Sequence, residues 1–430
     1  MSKQILAGSA PGTSRTDADR PQPAASASAG QTATPPKTPK QPPKAPAKPR
    51  KRAEGERPAK PAKAPKPDHG DAPAKPAKAA GGRPAASRSP AAAAARPDPV
   101  TPDPRPSLLI VAQAGRLEFE SLIFAASLHQ NSPEWLGQLV IAEPAPEGAW
   151  SGHETRIAPQ TREVLEWLGV QIRPFSATRF GAGYPHGNKI EALSVLPEDR
   201  PFVFFDTDTL ILSPLDQLHF DFDRPSASMR REGTWPEPPI YGPGYAGIWK
   251  SLYDRFGLDF ESSLDRSQPD EHWERYLYFN AGWFFGRNPA LFGRRFGEWA
   301  DDVRRDPGEA LACQSLDPWL DQVVLPLVIH SFYGGRPGPG LAGLDGDVTC
   351  HYRNLPLLYA RESDLVLDRL EAATGINKVK KRLREWEPAR RLIYQGKGRD
   401  QVRKIYAGGP PPGREMQIRK QIRNRGWWLV

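Results

Sequence analysis

From residue 107 onward the chain alternates short apolar runs with segments whose apolar side chains recur every three or four positions. Residues 107–112 (Ser-Leu-Leu-Ile-Val-Ala) read as a buried strand, and 119–129, with Leu122, Ile123, Ala126 and Leu128 recurring, as a helix. The same reading gives a strand at 138–142, a helix at 159–168, a strand at 170–173 and a helix at 188–196. Residues 201–205 (Pro-Phe-Val-Phe-Phe) follow as a strand covered on both faces. Beyond it, 278–285 (Tyr-Phe-Asn-Ala-Gly-Trp-Phe-Phe) reads as a strand with Trp283, Phe284 and Phe285 in the core, and 289–303 and 319–329 as helices. This alternation predicts an α/β domain over 107–375, built on a mostly parallel sheet with helices on both sides. A stretch of roughly 270 residues is enough for one sizeable core.

The pattern is absent from residues 1–106. That stretch holds 23 of the chain's 49 prolines, repeats Pro-Ala-Lys units and offers almost nothing large and apolar to bury. It reads as a disordered, basic, Pro/Ala/Lys-rich arm, extended and semi-rigid at this proline density. Residues 376–430 form a third piece, a basic extension of one or two helices (378–391 and 414–425) ending Gly-Trp-Trp-Leu-Val. The formal net charge of +9 divides into +12, −15 and +12 over the three pieces, so the middle of the chain is acidic. The basic ends are candidates for an anionic membrane surface, and Trp427 and Trp428 beside Arg and Lys suit such an interface. The alternative for these tryptophans is docking on the domain. An acidic middle with no RNA or DNA module argues against nucleic acid as a partner.

Cys313 and Cys350 are too far apart for a zinc site or a disulfide framework and read as free thiols. With no signal-length apolar stretch near Met1 and no window of transmembrane length, the expected placement is cytoplasmic, with attachment to the inner face of a membrane left open.

The candidate chemistry starts where the 201–205 strand ends, in Asp206-Thr207-Asp208. Open α/β sheets bind ligands at strand ends, and alternate carboxylates offer hard oxygens to one Mn²⁺ or Mg²⁺ that also takes phosphate. Turn hydrogen bonding is the ordinary reason for such acids, but apolar sequence on both sides draws these toward the interior. No Walker loop and no Gly-X-Gly-X-X-Gly follows the first strand, and the Gly-rich stretches 180–184 and 241–247 read as loops.

With Lys189-Ile-Glu-Ala-Leu before it, and Phe279-Asn280-Ala281-Gly282, Asp321-Gln322 and His351 after it, the acidic tripeptide resembles the donor site of nucleotide-sugar-dependent glycosyltransferases of the GT-A fold. The order of motifs is most similar to the retaining family that contains glycogenin and the bacterial lipooligosaccharide galactosyltransferases. That resemblance covers roughly 107–360. It implies a single Rossmann-like GT-A domain that transfers a hexose from a UDP-sugar to a glycan or lipid-linked acceptor. The implied metal ligands are Asp206, Asp208 and His351, with His330 and His186 as competitors for the imidazole position. Lys189, Asp206, Thr207, Asp208 and Gly282 would face the donor, as would Ala112 and Gln113 at the end of the first strand. Asn280, Asp321 and Gln322 would meet sugar hydroxyls or the acceptor, and an inverting enzyme would draw a base from Asp317 or Asp321.

Two departures stand out. The first strand ends Ala-Gln-Ala-Gly instead of in the Thr or Ser and Asp that the family places near the nucleotide base. The Gly-X-X-Lys-Pro-Trp tail is missing after His351, so a diphosphate contact would have to come from Arg353 or the basic C-terminal region. Rival readings are a nucleotidyltransferase-like enzyme, or a noncatalytic nucleic-acid- or membrane-associated protein carrying a transferase-like domain.

Overall fold

The computed structural model describes residues 105–230, 233 and 235–430. All but the last two residues of the expected N-terminal arm therefore lie outside the described residues. The alternating runs form a five-stranded sheet of β1 (Ser107–Val111), β2 (Leu139–Pro144), β3 (Gln171–Phe175), β4 (Phe202–Phe205) and β6 (Trp283–Gly286), ordered β3-β2-β1-β4-β6. The first four run parallel, and β6 is added antiparallel to β4 with Phe204 opposite Phe284. β5 (Thr209–Ile211) and β7 (Thr349–His351) make a separate antiparallel pair. The expected α/β class with a mostly parallel sheet is what the chain adopts.

Strand alternation sends successive side chains to opposite faces, and both faces are covered. Leu108 and Ile110 pack with the helix Arg116–Asn131, while Leu109 and Val111 pack with the helices Gly244–Arg255, Pro289–Arg305 and Leu320–Ser331. Trp283, Phe284 and Phe285 are fully buried, as their pattern predicts.

Three local readings are corrected. The 188–196 segment is one α-helical turn, Asn188–Glu191, continued as the 3-10 stretch Ala192–Val195. The 278–285 run pairs as a strand only from Trp283, because Ala281 takes φ 59° and turns the backbone out of the ladder. Asn280 therefore sits on a buried loop. The basic C-terminal extension, set apart at 376–430 by its charge, is packed into the domain: Val379, Leu383, Leu392, Val402, Ile418 and Ile422 belong to the same core as β1. Trp427 and Trp428, partly buried, pack against that core, which is the docked alternative. Among the described residues no helix is long and apolar enough to cross a membrane.

Candidate active site

The acidic tripeptide leaves the sheet at the carboxyl end of β4, and each of its residues is fixed by a different neighbour. The Asp206 N–H donates to Gly282 O at 2.8 Å, on the loop before β6. The Thr207 hydroxyl donates to Val111 O at the end of β1. Asp208 O accepts from the Tyr352 N–H at 2.9 Å, which extends the β5–β7 pairing by which Thr209 lies opposite His351. The small sheet thus delivers an imidazole from 140 residues downstream. His351 Nε2 lies 3.1 Å from Asp208 Oδ1 and 3.8 Å from Asp206 Oδ2.

Among the described residues, Asp206, Asp208 and His351 form a set whose ligand atoms lie within 4.8 Å of one another. Two carboxylates and an imidazole suit a borderline divalent cation such as Mn²⁺. Burial works against charge on His351, but Asp208 and then Asp206 outweigh it and raise its pKa. Burial likewise opposes charge on Asp208, yet His351 and Arg116 hold it down at about 2. Two carboxylates facing one imidazole at these distances make a compact donor set in which a divalent ion would bind in place of the His351–Asp208 contact. His330 is engaged elsewhere, with its Nε2 3.2 Å from Ser262 Oγ and 3.1 Å from Asp259 O.

On the other side of Asp206 stands Lys189. Its Nζ reaches Asp206 Oδ1 at 2.8 Å and Asp321 Oδ2 at 3.2 Å, and donates to Ala281 O at 3.3 Å. Burial alone would discharge Lys189, but these two carboxylates raise its pKa and keep it an ammonium. Asp321, 1% exposed, is held again by Tyr184, whose hydroxyl lies 2.8 Å from Asp321 Oδ1 and accepts from the Asp321 N–H at 3.0 Å. Gln322 Oε1 accepts from Tyr278 at 2.7 Å. Asn280 Oδ1 is buried without a hydrogen-bond partner, an orphaned acceptor at the site.

These groups line a cavity of about 600 Å³, with Gln113, Lys189, Asp206, Thr207, Asp208, Asn280, Asp321, Gln322 and His351 all on its wall. Two expected donor contacts are not. Ala112 is fully buried, its N–H on Ala142 O. Gly282 makes room for protein instead of sugar: a Cβ there would lie 2.4 Å from His351 Nδ1 and 2.7 Å from Asn280 Oδ1. Asp317 is exposed and lies off the cavity wall.

Sequence reasoning missed Arg116 and Asn188 on that wall, and it named the basic C-terminal region as a diphosphate contact without singling out Arg419 or Trp428, which also line it. Arg116 donates to Arg353 O at 2.9 Å and lies 3.8 Å from Asp208 Oδ2. It opens the helix directly after β1, behind Gly115 at φ 94°, three residues ahead of the start that the apolar periodicity gave. Asn188 Nδ2 donates to Gln113 Oε1 at 3.0 Å, and Asn188 Oδ1 accepts from Trp150 at 2.9 Å.

The family model of the Rhodobacterales glycosyltransferase domain matches residues 108–333. Similar solved structures include the apo bifunctional glycosyltransferase WbbM, at 13% identity and TM-score 0.37 over 66% of this chain and 52% of that one. The galactosyltransferase LgtC with donor and acceptor sugar analogues matches at 13% identity and TM-score 0.35, over 63% and 95%. The glycosyltransferase GlyE of Streptococcus pneumoniae TIGR4 matches at 12% identity and TM-score 0.34, over 67% and 65%. The chain spans about half the length of the WbbM structure. No curated protein matches.

Proposed function

The chain belongs to the Rhodobacterales glycosyltransferase domain family, and from that premise we propose that it moves a hexose or similar sugar from a UDP-sugar to a glycan or lipid-linked acceptor, with Mn²⁺ or Mg²⁺ at Asp206, Asp208 and His351. The observation that carries this reading is the clustering of those three ligands beside Lys189 on the wall of one cavity. The residues fit the ion, since the donor set is two carboxylate oxygens and an imidazole nitrogen within 4.8 Å of one another. When bound, it would supply Lewis-acid stabilisation of the departing diphosphate.

The protein's own groups do the rest. Lys189 holds a fixed positive charge next to Asp206, where the diphosphate and its sugar would meet. The unpartnered Asn280 Oδ1 accepts a sugar hydroxyl, and that bond relieves the cost of leaving it buried and bare. The carboxylates on the cavity wall are Asp206, Asp208 and Asp321, and each is already paired. Asp321, between Lys189 and Tyr184, is poorly placed to take a proton. This pairing supports a reaction in which the leaving phosphate accepts the acceptor's proton, with the anomeric configuration retained.

A donor-hydrolysis screen across nucleotide sugars, with Mn²⁺ or with a chelator, tests the proposal. We expect turnover with one donor class, its loss on chelation, and a fall of about 100-fold or more for Asp208→Asn, the equivalent of several kcal/mol of charge stabilisation. Identical behaviour of wild type and Asp208→Asn with every donor would remove the support for this function.

A further inference from the structure

The cavity wall nearest Asp208 is built by the far end of the chain. Arg419, on the helix Glu415–Asn424, and Trp428, just beyond it, line the cavity together with Arg116 and Arg353. Arg419 and Arg353 are tied together by Glu415, which is 6% exposed. Its Oε2 lies 3.3 Å from Arg353 Nε and 3.1 Å from Arg361 Nη1, while its Oε1 accepts from Arg419 Nε at 2.6 Å. One buried carboxylate is thus shared by guanidiniums from three segments, and neither cavity-lining arginine among them has it alone. Arg353 is held in addition at φ 66°, a conformation a non-glycine residue keeps only when its surroundings impose it. Its carbonyl receives Arg116, which in turn lies 3.8 Å from Asp208. Trp428 carries Arg419 over its ring at 5.4 Å. Phe204, the other Phe or Trp on the wall, is 1% exposed and committed to the core, so Trp428 is the large aromatic face available there.

We propose that the C-terminal helix and Trp428 form part of the nucleoside diphosphate site, with Arg419, Arg353 and Arg116 receiving the diphosphate and Trp428 covering the nucleoside. This rests on the function proposed above. A metal-bound diphosphate is the ligand that can touch Asp208's ion and these arginines together, because Arg116 connects the two. Guanidiniums bind phosphate oxygens in pairs, and a flat aromatic holds a base or ribose without demanding its identity.

The test is calorimetric binding of UDP, GDP, ADP and CDP by the full chain with saturating Mn²⁺, comparing wild type, Arg419→Gln, Trp428→Ala and Trp428→Phe. We expect the tightest wild-type ligand to weaken about tenfold or more in Arg419→Gln and in Trp428→Ala, with recovery in Trp428→Phe. The matching free nucleoside should lose affinity in Trp428→Ala and not in Arg419→Gln. Mn²⁺ binding without nucleotide should be the same in all four proteins, which also shows that the variants are folded. Diphosphate affinities within twofold of wild type in both Arg419→Gln and Trp428→Ala would overturn this inference and leave the proposed function standing. No diphosphate binding by wild type would overturn both.

Discussion

Gly282 shows how much a single missing methyl decides. It lies off the cavity wall, yet a Cβ would sit 2.8 Å from His351 Cε1 as well as 2.4 Å from Nδ1 and 2.7 Å from Asn280 Oδ1. Gly282→Ala must push the imidazole, the Asn280 amide or both. The expected result is a Mn²⁺ affinity lower by about 10–100-fold, the range seen when a ligand's orientation is disturbed, with an overpacking cost of about 1–3 kcal/mol. Mn²⁺ titration with a parallel thermal melt measures both, and an unchanged affinity would show that His351 is not a ligand. The same environment explains which residues were legible from sequence. Asp206 and Asp208 announce themselves because an apolar strand precedes them directly, whereas Gly282 invites the wrong reading: a glycine in a site motif suggests room for ligand, and only the packed His351 shows that the room is already taken. Lys189 is similar, since nothing in Asn-Lys-Ile-Glu says that it will be buried between two carboxylates.

Strands with long apolar runs were readable, and very short strands whose partners lie far along the chain were not. β1, β2 and β4 follow from apolar runs, but β5 and β7 are three-residue strands separated by more than a hundred residues, and their pairing puts His351 beside Asp208. His351 was reachable through the resemblance and not through periodicity. The run ending in β6 misled for a different reason, as apolar sequence carries no mark of the positive φ at Ala281 that breaks the ladder. Docking of the C-terminal segment was one of two open readings, because its charge is conspicuous and its apolar positions are sparse. That docking depends on Arg382 of the helix Asn377–Leu383, 9% exposed, with Nη2 3.0 Å from Glu118 Oε1, Nε donating to Thr161 at 2.8 Å and its guanidinium 4.9 Å from the Phe119 ring centre. Arg382→Met should leave Glu118 buried with one partner fewer and destabilise the protein by about 3–5 kcal/mol. Because the helices share one core with β1, a thermal melt should show one lowered transition; an early separate transition for the C-terminal segment would contradict the shared core.

At the scale of the whole chain, charge and architecture are arranged so that one segment faces two ways. The C-terminal helices bury Val379, Leu383 and Ile422 in the core they share with β1 and turn Arg419 and Trp428 to the cavity, while Lys378, Lys381, Arg384, Lys420 and Arg423 remain exposed. Arg423 lies 5.9 Å from the Trp428 ring centre, so an exposed cation on the last helix neighbours the cavity wall. Cations near an anionic leaflet contribute about 1 kcal/mol each, and their range is limited to about 10 Å at 0.1 M salt. A surface of this kind would bring the cavity close to a lipid-linked acceptor without any membrane-spanning helix. Residues 1–104 carry much of the remaining positive charge, so the two contributions have to be separated by deleting them. The chain lacking 1–104 should cosediment with vesicles containing phosphatidylglycerol, release as salt rises, and ignore neutral phosphatidylcholine vesicles. Replacing Lys378, Lys381, Arg384 and Lys420 with Gln in that shortened chain should abolish the binding while leaving donor hydrolysis unchanged, since none of the four lines the cavity. Binding that survives these replacements would place the membrane contact elsewhere and sever it from the helix that walls the site.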